Sequence, residues 1–182
     1  MTEKRATAGK AAAASTTGTA TKPRKLTYDP YVRHNVTVNA DPDRAFRVFV
    51  EDFPQWWPPM FRCTKVGAPL GVDPKKNGRW YEIDEEGNEH TFGRIRVLDR
   101  PTRLVIGWHL NGFGRVDPDH ASEFEVQFVP DSRGRTKVML EHTNFEEMGT
   151  KHAKRVRNGM DKGWPTLLNA FKEKIAEGGG GK

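Results

Sequence analysis

Two spacings of apolar residues organise the chain. From Arg33 to Asn39 (RHNVTVN), β-branched residues alternate with polar ones, which predicts a strand with one buried face. Ala40-Asp41-Pro42 then supplies an N-cap with proline at the first helical position. Ala45, Phe46, Phe49 and Val50 follow at helical spacing, so a short helix is expected over about 42–50. The prolines around Phe53-Pro54-Gln55-Trp56-Trp57-Pro58-Pro59 leave room for one helical turn.

The period then changes to two. It predicts strands over Cys63–Gly67, Arg79–Asp84, His90–Leu98, Leu104–His109, Ser122–Val129 and Lys137–Thr143. Glu86-Gly87-Asn88, Asp99-Arg100-Pro101 and Asp131-Ser132-Arg133-Gly134 carry turn chemistry. Connectors this short join antiparallel strands, because parallel pairs need long crossovers. Helical spacing returns over Gly149–Glu177, where Met160, Trp164, Leu167, Leu168, Phe171 and Ile175 form one stripe. Pro165 lies inside that stripe and predicts a kink.

The expected fold is α+β: a curved antiparallel sheet of about seven strands wrapped on a long C-terminal helix, with two short helices after the first strand. That helix, about 40 Å long at 1.5 Å per residue, is the one predicted element large enough to cover a sheet face. Where the strongly curved sheet and the long helix diverge, a ligand cavity is expected.

Composition and charge refine this picture. The 182 residues hold 30 Lys+Arg against 24 Asp+Glu, a formal charge of +6. Residues 1–30 carry six basic groups and two acidic ones, so most of the excess belongs to the beginning of the chain. Residues 1–27 have no large apolar residue before Leu26 and read as a disordered basic tail. Residues 31–177 form the expected domain, and the glycine-rich 178–182 a frayed end. The tail is expected to touch nucleic acid only weakly and in a salt-dependent way. A single Cys63 excludes an intrachain disulfide. No apolar run is long enough for membrane insertion, and no secretory signal is evident, so a cytoplasmic protein is expected.

Four segments resemble a known family: Val36–Phe49 with its ADPDRAFRVF, the following Trp56-Trp57-Pro58, Gly93–Trp108 (GRIRVLDRPTRLVIGW), and Thr136–Phe145 with Gly163-Trp164 and the Leu/Phe stripe. Together and in order they are similar to the START-like helix-grip superfamily (SRPBCC). Within it they resemble the branch named after the C-terminal domain of the co-chaperone that activates the heat-shock-protein-90 ATPase. Arg100 stands where that pattern has its first proline, and Gly107 where it usually has threonine. The resemblance implies the helix-grip fold. It leaves function open, since the superfamily holds lipid and hormone carriers, polyketide aromatase/cyclase-like enzymes and co-chaperones.

Candidate chemistry follows from aromatic and histidine positions. Leu140 and His142 share one face of the last strand, and the family comparison turns that face inward, beside Phe124. There His142 either orients a ligand's polar end, acts as acid/base, or is a satisfied core histidine. Trp108 and Trp164 are expected to line the same interior, with Leu168 from the helix. Trp56 and Trp57 are expected near its mouth, one packed on the core and one closing the opening. Phe92 and Arg94 share a face by strict alternation; if Arg94 points inward it is a carboxylate anchor, and otherwise a solvent-facing arginine. The inward face around Trp80 is not fixed by alternation alone. Gly112-Phe113-Gly114 reads as a loop able to gate the cavity. Lys151, His152, Lys154, Arg155 and Arg157 read as a solvated basic face or a contact for an acidic or chaperone partner.

Metallohydrolase, nucleophile-elbow and phosphate-loop motifs are absent from the sequence, and no metal or cofactor is expected. The leading expectation is a binding module for a small hydrophobic or amphipathic ligand. A polyketide cyclase/dehydratase-like enzyme and a co-chaperone-type interaction module are the alternatives.

Overall fold

The computed structural model describes residues 28–64, 67–111, 114–117, 119–149 and 152–178. The basic tail expected over 1–27, the glycine end from 179 onward and Gly112-Phe113 of the expected gating loop lie outside the described residues.

The elements run β1 (Val32–Val38), α1 (Pro42–Val50), α2 (Phe53–Trp56), a 3-10 turn (Pro59–Phe61), β2 (Leu70–Val72), β3 (Arg79–Ile83), β4 (Glu89–Asp99), β5 (Arg103–Trp108), β6 (Ser122–Pro130), β7 (Thr136–Thr143), a second 3-10 turn (Phe145–Met148) and α3 (Ala153–Glu177). The seven strands form one sheet in the order β1-β7-β6-β5-β4-β3-β2, every neighbouring pair antiparallel. This is the expected helix-grip architecture. α1 begins as its sequence dictates: the Asp41 side chain accepts from the backbone N–H of Arg44 at 2.8 Å, with Pro42 at the first helical position. α3 continues through Pro165 as one helix, although proline supplies no N–H for the Asp161 carbonyl.

One strand is misplaced by the sequence pattern. Cys63 and Thr64 form a bend, and the strand starts only at Leu70. The reason is Glu82, buried on β3: its carboxylate accepts from the backbone N–H groups of Cys63 (3.0 Å) and Thr64 (2.8 Å) and from the Thr64 hydroxyl (2.7 Å). A side chain takes the donors that a sheet ladder would otherwise use.

The core lies between the inner sheet face and α1, α2 and α3. Phe49 meets Phe128 and Phe171 edge-on at 5.7 and 5.2 Å, joining α1 to β6 and α3. The Arg44 guanidinium donates to the Ile175 carbonyl at 2.7 Å and ties α1 to the end of α3. At the other end Asp161 receives Arg157 at 2.7 Å and His34 at 3.0 Å, fixing α3 against β1. On the outer sheet face Arg96 reaches Glu123 at 2.6 Å by crossing Gly107. A Cβ at Gly107 would stand 2.7 Å from the Arg96 Nε, so the missing side chain leaves the path open.

Candidate ligand-binding site

β4 carries two bulges, and they decide which side chains reach the interior. Trp80 pairs with Gly93 and Tyr81 with Thr91, which leaves Phe92 as an extra residue. Phe92 and Gly93 are therefore both buried, and Arg94 turns out to solvent. The second bulge, at Arg96, sends Arg96 outward and restores Leu98 to the inner side opposite Leu104. The shared face expected for Phe92 and Arg94 is thus corrected: Arg94 lies on the outer face and is no inward anchor.

Most of the expected lining is packed solid. Phe124 sits at the centre, with ring centroids 5.5 Å from Trp108, 4.9 Å from Trp164 and 6.1 Å from Trp80. Trp80 stacks on Phe53 at 4.0 Å, and Phe92 meets Trp108 edge-on at 5.3 Å. Trp56 belongs to this core as well: it donates to the Val48 carbonyl at 2.9 Å and packs on Phe49 and Phe171. Leu140 and Leu168 are buried beside these rings.

His142 is wholly buried, and both ring nitrogens are engaged. Trp164 donates its indole N–H to Nδ1 at 3.1 Å, which leaves the proton on Nε2 to be donated to the Ser122 hydroxyl at 2.8 Å. Ser122 in turn donates to the Trp108 carbonyl, at 3.4 Å. Burial pushes the His142 pKa down to about 3. The ring is neutral at physiological pH, and the geometry is that of a satisfied core histidine rather than a general base facing a substrate.

Among the described residues, a mouth stays open between sheet and helix. It has a volume of about 240 Å³ and is lined by Trp57, Phe61, Trp108 and Leu110 on one side and by Val156, Met160 and Leu167 of α3 on the other. Trp57 and Trp108 are the expected residues that reach it, with ring centroids 5.8 Å apart. Trp57 is held by its indole N–H donating to the Phe61 carbonyl at 3.2 Å. Gly163 lets α3 come close here, since a Cβ there would stand 3.0 Å from the Phe61 ring. Met60, Arg62, Cys63, Asn111, Gly114, Arg155 and Gly159 complete the wall. The sequence pattern missed most of these, because they come from an irregular segment, a hairpin tip and the side of α3 next to the apolar stripe.

Polar groups at the mouth are few. The Trp108 indole N–H is buried with no hydrogen-bond partner among the described residues, and so is the Nε of Arg62. Arg62 spends one Nη on the Ala68 carbonyl at 2.7 Å. Burial, opposed by Glu82, pulls the Arg62 pKa below the ordinary arginine value. The Cys63 thiol is pushed up to about 12, first by burial and then by the Glu82 charge, so it is a poor nucleophile.

A second opening, about 660 Å³, shares Cys63 with the mouth as a lining residue. Its walls include Asp84 and His90, which pair at 2.7 Å and hold the Asp84 carboxyl down at about 2. Among the described residues no cluster of His, Cys, Asp or Glu could hold a metal ion, and no helix is long and apolar enough to cross a membrane.

Comparison with known proteins agrees with this architecture. The solution structure of a self-sacrificing resistance protein, CalC from Micromonospora echinospora, is 67% identical, with a TM-score of 0.67, over 86% of this chain and all of that one. An anthrahydroquino-gamma-pyrone synthase, Txn09, solved in complex with SUM, is 37% identical with a TM-score of 0.51, over 71% of this chain and 86% of that one. The protein MLL2253 from Mesorhizobium loti shares the fold at 15% identity and a TM-score of 0.58. No curated protein matches the chain in sequence. The family described as Activator of Hsp90 ATPase homolog 1-like protein matches residues 39–176, and the chain belongs to that family.

Proposed function

We propose that this protein is a resistance protein of the self-sacrificing kind, which takes up a small hydrophobic or amphipathic molecule at the mouth between sheet and α3 and is itself spent in neutralising it. The observation that carries this reading is the 67% identity that spans the whole of CalC. The mouth supports it with apolar walls from Trp57, Trp108, Met160 and Leu167, where burial is worth about 25 cal/mol per Å² before binding costs. Such a protein works in the cytoplasm of the cell it protects.

A polyketide-type enzyme is the second reading, favoured by the 37% identity to Txn09. The engaged ring nitrogens and low pKa of His142 weigh against the base that this reading assigned. Binding of an acidic or chaperone partner through the basic part of α3 is a further activity compatible with the family.

The test is stoichiometric. A sensitive bacterium expressing the chain is challenged with the compound that CalC counters, and the recovered protein is weighed intact. Protection should end when roughly one altered protein has accumulated per molecule of compound. Protection that continues with unaltered protein would transfer the role to an enzyme, and no protection would reject resistance altogether.

A further inference from the structure

Resting on the proposed binding at the mouth, the chemistry of its ligand can be narrowed. Two side chains lining the mouth each carry a donor with no partner among the described residues. The Trp108 indole N–H is buried, its residue 1% exposed, and the Nε of Arg62 is buried beside the same cavity. A buried donor left unsatisfied is costly, and native structures keep few of them. Arg62 has no carboxylate within ion-pair distance among the described residues; its guanidinium donates to the neutral Ala68 carbonyl. The nearby Glu82 carboxylate is committed to Cys63 and Thr64.

The segment that carries Arg62 is also held in place. Glu82 fixes Cys63 and Thr64 immediately after it, Phe61 abuts Gly163 immediately before it, and the Ala68 carbonyl holds the guanidinium itself. A guanidinium positioned this way, with its fork incompletely used, suits an oxyanion.

Around these donors the walls are aromatic and aliphatic, and Lys154 and Lys162 stand exposed on the flanking turns of α3. The volume is that of a ring system, since a cavity of about 150 Å³ already accepts benzene.

We propose that the mouth binds an aromatic ligand bearing an anionic oxygen, the rings lying against Trp57, Met160 and Leu167 while the oxygen accepts from Arg62 and the Trp108 indole. An arene without that oxygen gains the apolar contacts but leaves both donors unpaired.

Two fluorescent probes of nearly identical shape test this: anilinonaphthalene sulfonate and its uncharged parent, phenylnaphthylamine. Each is titrated into the full chain and into Arg62→Leu, Arg62→Lys and Met160→Trp. The native chain should bind the sulfonate more tightly. Arg62→Leu should weaken the sulfonate at least tenfold and leave the uncharged probe within about twofold, which also reports that the mouth is intact. Arg62→Lys, with its charge kept and its fork lost, should fall between. Met160→Trp, which fills the mouth, should abolish both. If Arg62→Leu weakens both probes equally or neither, the anchor is wrong although the mouth stands. If the native chain binds neither probe, or Met160→Trp leaves both bound, the reading of the mouth as a ligand site fails with it.

Discussion

Trp164 of α3 and His142 of β7 share a buried hydrogen bond of 3.1 Å, donated by the indole N–H to Nδ1. The bond sets the tautomer, and burial of the ring makes the helix–sheet seam sensitive to acid. The folded histidine takes up a proton only near pH 3, whereas an unfolded one does so near 6.5. Below pH 6.5 the unfolded chain therefore holds more protons. The His142 contribution is complete above that pH and is lost progressively as the pH falls toward 3. The slope from this residue reaches about 1.4 kcal/mol per pH unit. Urea unfolding at a series of pH values should show that component in the native chain and its absence in His142→Asn. Parallel curves would remove His142 from the account.

Glu82 is the anchor of the segment that walls the mouth. In Glu82→Gln one accepting oxygen becomes a donor facing the N–H groups of Cys63 and Thr64. A loss of about 2 kcal/mol in unfolding free energy is expected, in the range for hydrogen bonds to a charged group. An unchanged urea midpoint would mean that the segment is held by other contacts.

Cys63 should be slow to react. With its pKa near 12 the thiol is almost wholly protonated at pH 8, so iodoacetamide should alkylate the native protein on the order of a hundredfold more slowly than the urea-unfolded chain. Equal rates would contradict the burial and the Glu82 charge that raise it.

Two glycines of α3 should respond oppositely. A Cβ at Gly159 meets nothing within 4 Å, so Gly159→Ala should stabilise by roughly 0.5–1 kcal/mol through helix propensity, raising the Tm by about 1–4 °C. At Gly163 the added carbon stands 3.0 Å from Phe61, and the larger Gly163→Val should lower the Tm by displacing that ring. A Gly163→Val protein as stable as the native one would show that Phe61 yields freely.

The fold was legible because its signals are local. The Asp41-Pro42 cap, the alternation of β6 and β7 and the apolar stripe of α3 each need only near neighbours in sequence. The failures have causes outside that local pattern. Strict alternation placed Phe92 and Arg94 together, and a bulge opposite Trp80 parted them. The period of two at Cys63–Gly67 promised a strand, and the Glu82 carboxylate took the backbone donors of Cys63 and Thr64 instead. Neither a bulge nor a long-range carboxylate acceptor leaves a periodic trace.

For this protein the sequence by itself determined the order of the elements, the antiparallel sheet and the aromatic character of the interior, since spacing and turn chemistry act over a few residues. The tertiary structure alone decided which aromatics became core and which became wall. Trp56 and Trp57 are adjacent in the chain, yet one donates to Val48 inside the core and the other lines the mouth beside Trp108. It also decided that His142 is spent on Trp164 and Ser122, while the Arg62 Nε has no partner among the described residues. Satisfaction of a buried polar group is settled by partners far away in sequence, and only the folded packing brings them within reach.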